Sequence, residues 1–226
     1  MTLHRGARYG RVCRFADHGH LLPLSTIRLV IALALLGTLT ACTGDSTGQG
    51  PVAEEQCQGR GKNLLQDPQF QTVDAPRRER KWSSSEHAAG QSFKYSVSNG
   101  ELLIEKTGLE PWFIMTQILS REDIPGRRVV FSAEIKLDMQ PPAIPHGFKQ
   151  GGGLTINAMA NGKPVVRSLM EHEPHMGTTD WQPVQVVVDL PKRIESVRLG
   201  FIHQADGSIS IRKPSLQRVA KGDCEG

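Results

Sequence analysis

The densest cluster of groups able to ligate a metal or move a proton is Glu171-His172-Glu173-Pro174-His175, with His146 and His203 elsewhere in the chain. Imidazole and carboxylate side chains this close together suit Zn²⁺ or Ni²⁺. The run is not H-E-x-x-H, however, and Pro174 forbids the helix interior that would put both imidazoles on one face. It reads as a solvated loop ahead of the segment containing Trp181. Gly44-Asp45-Ser46 has the outline of an esterase block. A nucleophilic serine needs a strand-to-helix turn and an orienting base, and this one lies in a Gly, Ser and Thr rich stretch. Gly151-Gly152-Gly153 enters a strand instead of opening a helix, so it is not a phosphate loop. A glycosidase needs two positioned carboxylates, and nothing in the pattern of Asp and Glu singles out a pair. The chain is therefore read as non-catalytic, with no cofactor and no metal.

What remains is recognition. An aromatic face can take up the CH face of a pyranose ring while neighbouring polar groups bond its hydroxyls. Aromatic residues make up only 5% of the chain. Trp112, Trp82 and Tyr95 are the candidate stacking rings, with His203 as a candidate polar partner. Trp112 follows Glu110-Pro111 at the start of a strand and is the best placed of them. Trp82 follows the basic run Arg77-Arg78-Glu79-Arg80-Lys81, itself read as a solvated loop.

The elements that must position these groups have period two. In residues 129–139 one face carries Phe131, Ala133, Ile135, Leu137 and Met139, and the other Ser132, Glu134, Lys136 and Asp138. This alternation is that of a half-buried antiparallel strand. Similar runs occupy 101–106, 112–119, 153–160, 165–170, 182–190, 196–203 and 208–212. Turn signals fall between them at Asn99-Gly100, Asn161-Gly162 and Asp206-Gly207, the last two reading as tight hairpins. No segment sustains a helical stripe. About ten such strands predict an all-β antiparallel sandwich, in the form of a jelly roll.

Ahead of this unit, Arg28, the apolar run 29–36 and the small residues Gly37, Thr38, Thr40 and Ala41 come in secretory order. The apolar run is too short to span a bilayer, which takes about 20 residues. Five arginines and one aspartate lie in residues 1–41, which leaves 22 basic and 22 acidic residues in the remainder. The net charge of +4 thus belongs to the leader, and no nucleic-acid partner is expected of the neutral folded part.

Leu39-Thr40-Ala41-Cys42 resembles the lipobox of bacterial lipoproteins, which implies that Cys42 is the lipidated first residue of the mature chain and its membrane anchor. Thr43 in the next position implies the outer membrane if the host is Gram-negative. The expected organisation is a signal peptide over 1–41, a lipidated Cys42 and flexible tether over 42–60, and a sandwich domain over 61–226. That leaves Cys57 and Cys224 at the two ends of the domain. An even count in an oxidising compartment predicts a bridge between them, the alternative being two separate thiols.

Asn63-Leu-Leu-Gln-Asp-Pro-Gln-Phe70, Gly177-Thr-Thr-Asp-Trp181 with its following alternation, and Gly207-Ser-Ile-Ser-Ile-Arg-Lys-Pro-Ser-Leu216 resemble, in turn, the opening, the tryptophan-bearing and the closing strands of carbohydrate-binding modules with the galactose-binding-like jelly roll. The resemblance implies a glycan ligand and a core position for Trp181. Family members that close with paired Asp hold a structural Ca²⁺; Arg212-Lys213 stand there in this chain, so no calcium is expected. Two functions follow as expectations: an envelope-anchored lipoprotein that binds polysaccharide through a jelly-roll face, or one that docks an envelope protein as an accessory subunit of an assembly or secretion system.

Overall fold

A computed structural model describes residues 56–88, 91–169, 174–220 and 222–225. The leader, Cys42 and the tether as far as residue 55 lie outside the described residues, as do Glu171, His172 and Glu173. Residues 56–60, expected as tether, instead pair with the end of the chain through a strand at Gln56–Cys57 and an Arg60–Arg218 bridge. The described chain is nearly all strand: β1 (Gln56–Cys57), β2 (Ser83–Glu86), β3 (Phe93–Ser98), β4 (Glu101–Lys106), β5 (Phe113–Ser120), β6 (Arg128–Gln140), β7 (Gly152–Ala160), β8 (Lys163–Leu169), β9 (Gly177–Asp189), β10 (Ser196–His203), β11 (Asp206–Arg218) and β12 (Cys224–Glu225), with one 3₁₀ turn at Arg121–Asp123. Two five-stranded antiparallel sheets, ordered β2-β5-β10-β7-β8 and β3-β4-β11-β6-β9, pack face to face, and β1 pairs with β12 in a separate ribbon. This is the jelly-roll sandwich that the alternation predicts.

Asn99-Gly100 and Asn161-Gly162 both have positive φ at the two turn positions, the signature of type I′ hairpins joining β3 to β4 and β7 to β8. Asp206-Gly207 is not a hairpin. The strands on either side of it, β10 and β11, belong to different sheets, so the chain crosses the sandwich there. Gly207 has φ +94°, and a Cβ at this position would come within 2.0 Å of the Asp138 carbonyl oxygen. A side chain here would collide with β6.

Residues 63–82 form no strand, in contrast to the opening strand implied by the resemblance. Side chains hold the segment instead. Asn63 donates to the Pro214 carbonyl at 2.9 Å and accepts from the Leu65 and Leu216 amides at 3.1 Å each. The buried carboxylate of Asp67 accepts from the Gln71 and Thr72 amides and the Thr72 hydroxyl at 2.7–2.9 Å. These bonds seat Phe70 and Trp82 in the core, where Phe70, Trp82 and Phe201 pack with ring centroids 5.4–5.9 Å apart.

Strand β9 carries one residue more than β6 between the pairs Leu137–Thr179 and Ile135–Gln182. Such a bulge turns one extra side chain to the same side. Here that is Asp180; Trp181, of opposite parity to the buried Val184, Val186 and Val188, lies half-buried on the outer face of the sheet, with the Arg212 guanidinium 4.0 Å over its ring. This corrects the expectation of a core position.

Candidate functional site

The four ring-bearing candidates do not share a surface. Trp82 is only 1% exposed, and its indole Nε1–H donates to the Asp67 carbonyl at 2.7 Å. Both the ring and its polar edge are thus used up inside the domain. Tyr95, on β3, is half-buried against the core, with its ring 6.0 Å from that of Phe113. His203, at the end of β10, is fully buried and meets the Phe93 ring edge-on at 5.2 Å. Trp112 lines an open depression.

That depression lies on the outer face of the sheet β2-β5-β10-β7-β8. Val197, Leu199 and Phe201 of β10 point into the core, so Arg198, Gly200 and Ile202 point out. Register places Arg198 between Ile118 and Asn157, Gly200 between Thr116 and Thr155, and Ile202 between Ile114 and Gly153. At the β10 C-terminal end of this face a groove of about 470 Å³ is lined by Trp112, Ile114, Phe148, Lys149, Ile202 and Gln204, with Gly147. Trp112 enters from the segment before β5, and Phe148 from the loop before β7. Because β10 runs between those strands, the two aromatic residues flank the floor made by Ile114 and Ile202. His87 meets the Trp112 ring edge-on at 6.1 Å, and its Nδ1 lies 3.1 Å from the Glu110 carboxylate. These contacts brace the indole from behind.

Gln204 is the informative member of the groove. It is 5% exposed, and its Oε1 is buried without a hydrogen-bond partner. Leaving such an acceptor unsatisfied costs about 1–3 kcal/mol.

Nothing in the sequence pattern marks Gln204, because its burial follows from β10 ending beside the loop before β7. Phe148 carried a weak signal as the one bulky aromatic in the Pro and Gly rich stretch 141–153. His146 stacks on it at 5.5 Å. His175 lies apart from this groove and joins β7 through a bridge with Gly152. Among the described residues no three His, Cys, Asp or Glu side chains gather as a metal site.

Burial pushes the His203 imidazole down to about 4, assisted by the Lys106 ammonium and opposed by its bond to the Gly207 carbonyl and by Asp206. The neutral ring places its Nε2 3.0 Å from the Gly207 oxygen and its Nδ1 3.5 Å from the Ala205 amide, an arrangement satisfied by the Nε2–H tautomer. The unfolded chain takes up this proton first, near pH 6.5, so the stability contributed by neutral His203 is complete above that pH. It is lost as pH falls toward 4, by on the order of 3 kcal/mol over the whole window. Melting curves between about pH 7 and pH 4 should show this decline, and a His203→Gln variant should show a shallower one; parallel declines would contradict the assignment.

No protein-family model matches the chain, and no curated protein matches it. Among solved structures, it is similar to the enzymatically active domain of bacteriophage CBA120 tailspike protein 4 (TM-score 0.49, 14% identity, 70% of this chain and 21% of that one). The chain thus spans about a fifth of the tailspike chain. It is also similar to a carbohydrate-binding module, CBM4 (TM-score 0.46, 13% identity, 68% of this chain and 99% of that one). A third is the CBM22-1 xylan-binding domain from Paenibacillus barcinonensis Xyn10C (TM-score 0.44, 12% identity, 73% of this chain and 99% of that one).

Proposed function

We propose that this protein is a non-catalytic binder of neutral glycan chains and that the groove between Trp112 and Phe148 is its site. The observation that carries the reading is a groove walled by two aromatic side chains, Trp112 and Phe148, over an aliphatic floor of Ile114 and Ile202. A pyranose presents the CH face that such walls accept, and Lys149 at the rim can donate to its hydroxyls. Across the same sheet face, Thr116, Asn157 and Arg198 supply further polar groups along which a chain of sugars can lie.

On sequence grounds we further propose that the domain is carried at the cell envelope on an acylated Cys42, in the outer membrane where the host has one. Mass spectrometry of the mature N-terminus tests that anchor, and an unmodified Cys42 would refute it. Docking of a protein partner is the competing function, favoured by the exposed Leu109 and Ile144.

Trp112→Ala separates these readings. Against a panel of envelope and plant polysaccharides, calorimetry should show wild type binding at least one. The variant should bind it about fivefold or more weakly, as expected for loss of a recognition anchor worth more than ~1 kcal/mol. Its melting temperature should change little. If wild type binds nothing in the panel, or a folded Trp112→Ala binds as wild type does, the docking function moves ahead.

A further inference from the structure

A depression larger than the Trp112 groove lies elsewhere. On the outer face of the other sheet, a cavity of about 590 Å³ sits over β6 and β9, bounded by Ser132, Glu134, Pro183 and Gln185. Its far wall is the β1–β12 ribbon, contributing Cys57, Gln58, Gly222 and Asp223. The Cys57–Cys224 disulfide closes that ribbon, and an ion pair joins Arg60 to Asp223 across it. The terminal segments therefore complete a pocket that neither sheet makes alone.

Lys213 stands at the mouth in an unusual conformation. It lies in the bulge between Arg212 and Ser215 and has φ +51°, a left-handed backbone disfavoured by any side chain with a Cβ. Glycine would sit there without penalty. Strained residues at bulges collect where a side chain has to be aimed. This one is aimed at Glu134: one of its three N–H groups donates to Oε1 at 2.7 Å, while Arg212 Nε donates to Oε2 at 2.6 Å. Bonds from Lys213 first, then Arg212, hold the Glu134 carboxyl below its usual range, so it is ionised at neutral pH. Two cations share one anion, and the Arg60–Asp223 pair is balanced. The Glu134 cluster thus carries one positive charge in excess. Of its two cations it is Lys213, with hydrogen-bond donors to spare, that lines the cavity, together with His175; Arg212 lies over Trp181 outside it.

We propose that this cavity is a second ligand site, independent of the Trp112 groove, and that it takes a hexuronate, a pyranose bearing a carboxylate. Lys213 meets the carboxylate. The ring lies against Pro183, and Ser132 and Gln58 face its hydroxyls. A neutral sugar would leave the excess charge unanswered, and a bare carboxylate would leave the cavity unfilled.

The test is amide chemical-shift mapping of the intact domain titrated with digalacturonate, galactobiose and sodium acetate. Digalacturonate should move the amides of Ser132, Gln185, Gly222 and Asp223, more weakly as salt is raised, and should do so at lower concentration than either of the others. Lys213→Gly should weaken that response roughly tenfold, the loss of one charge-assisted hydrogen bond. The variant should melt within about 3 °C of wild type or higher, because the backbone strain is relieved as the exposed ion pair is lost. Shifts confined to Trp112 and Gln204 would place the uronate in the groove and overturn the second site. So would acetate or galactobiose binding as well as digalacturonate, an unchanged response in Lys213→Gly, or a Lys213→Gly variant that melts far below wild type.

Discussion

Trp82→Ala is expected to destabilise the domain by about 3–5 kcal/mol, the usual cost of emptying a fully buried aromatic site. The ring touches Phe70 and Phe201, and Phe201 in turn packs on Phe131 at 5.8 Å. The cavity left behind would open between the two sheets, where both are already fixed by their ladders and have little room to collapse. The indole also holds the irregular segment 63–82 through its bond to the Asp67 carbonyl, so its loss frees that carbonyl as well. Much of a stability of roughly 5–15 kcal/mol would be gone. Trp181→Ala should cost about 1 kcal/mol, since that ring is half-buried and its main partner is an Arg212 guanidinium already bonded to Glu134. Urea unfolding of both variants measures the difference. A Trp181 variant less stable than the Trp82 variant would mean that the faces of β9 are assigned the wrong way round.

Breaking the Cys57–Cys224 bridge is the second large effect. The two cysteines are 167 residues apart, and in the chain-entropy description closing a loop of that length stabilises the fold by about 5 kcal/mol. The bridge also ties down the ribbon that pairs Cys57 with Cys224 and Gln56 with Glu225. With its amide oriented to satisfy both bonds, Gln185 of β9 pairs with the Cys57 backbone at 3.0 and 3.1 Å, which fastens the ribbon to the sandwich. Reduction should therefore lower the melting temperature by roughly 10–20 °C for a domain of this size. Cys57→Ser with Cys224→Ser should reproduce the shift without reductant. Equal melting temperatures in the oxidised and reduced proteins would show that the bridge contributes nothing.

Much of the sandwich is legible in the sequence because its strands are half-buried, and burial on one face writes the period of two directly into residues 129–139 and 196–203. The bridge is legible from the parity of the cysteines and their place at the ends of the domain. Strand β2 is not, because Ser83-Ser84-Ser85-Glu86 is an edge strand, largely exposed, with no apolar face to alternate. The exchange of roles between Trp82 and Trp181 has a different origin. Trp181 has the opposite parity to the buried Val184, Val186 and Val188, so the alternation of β9 already turns it outward. The seating of Trp82 rests on three hydrogen bonds to the Asp67 side chain, which have no hydrophobic pattern. The groove was half visible. Trp112 marks one wall, but Ile114 and Ile202 become its floor, with Gln204 at its end, only when β10 is laid between β5 and β7.

The most direct test of the groove as a glycan site is to follow the three tryptophan indole N–H resonances while a neutral polysaccharide from the binding panel is titrated into the intact domain. Only Trp112 lines the groove; Trp82 is sealed in the core, and Trp181 lies on the opposite sheet beneath Arg212. The Trp112 indole should shift in proportion to occupancy, together with the Gln204 side-chain amide, and the Trp82 and Trp181 signals should stay in place. Binding that moves Trp181 and leaves Trp112 unchanged would contradict the account.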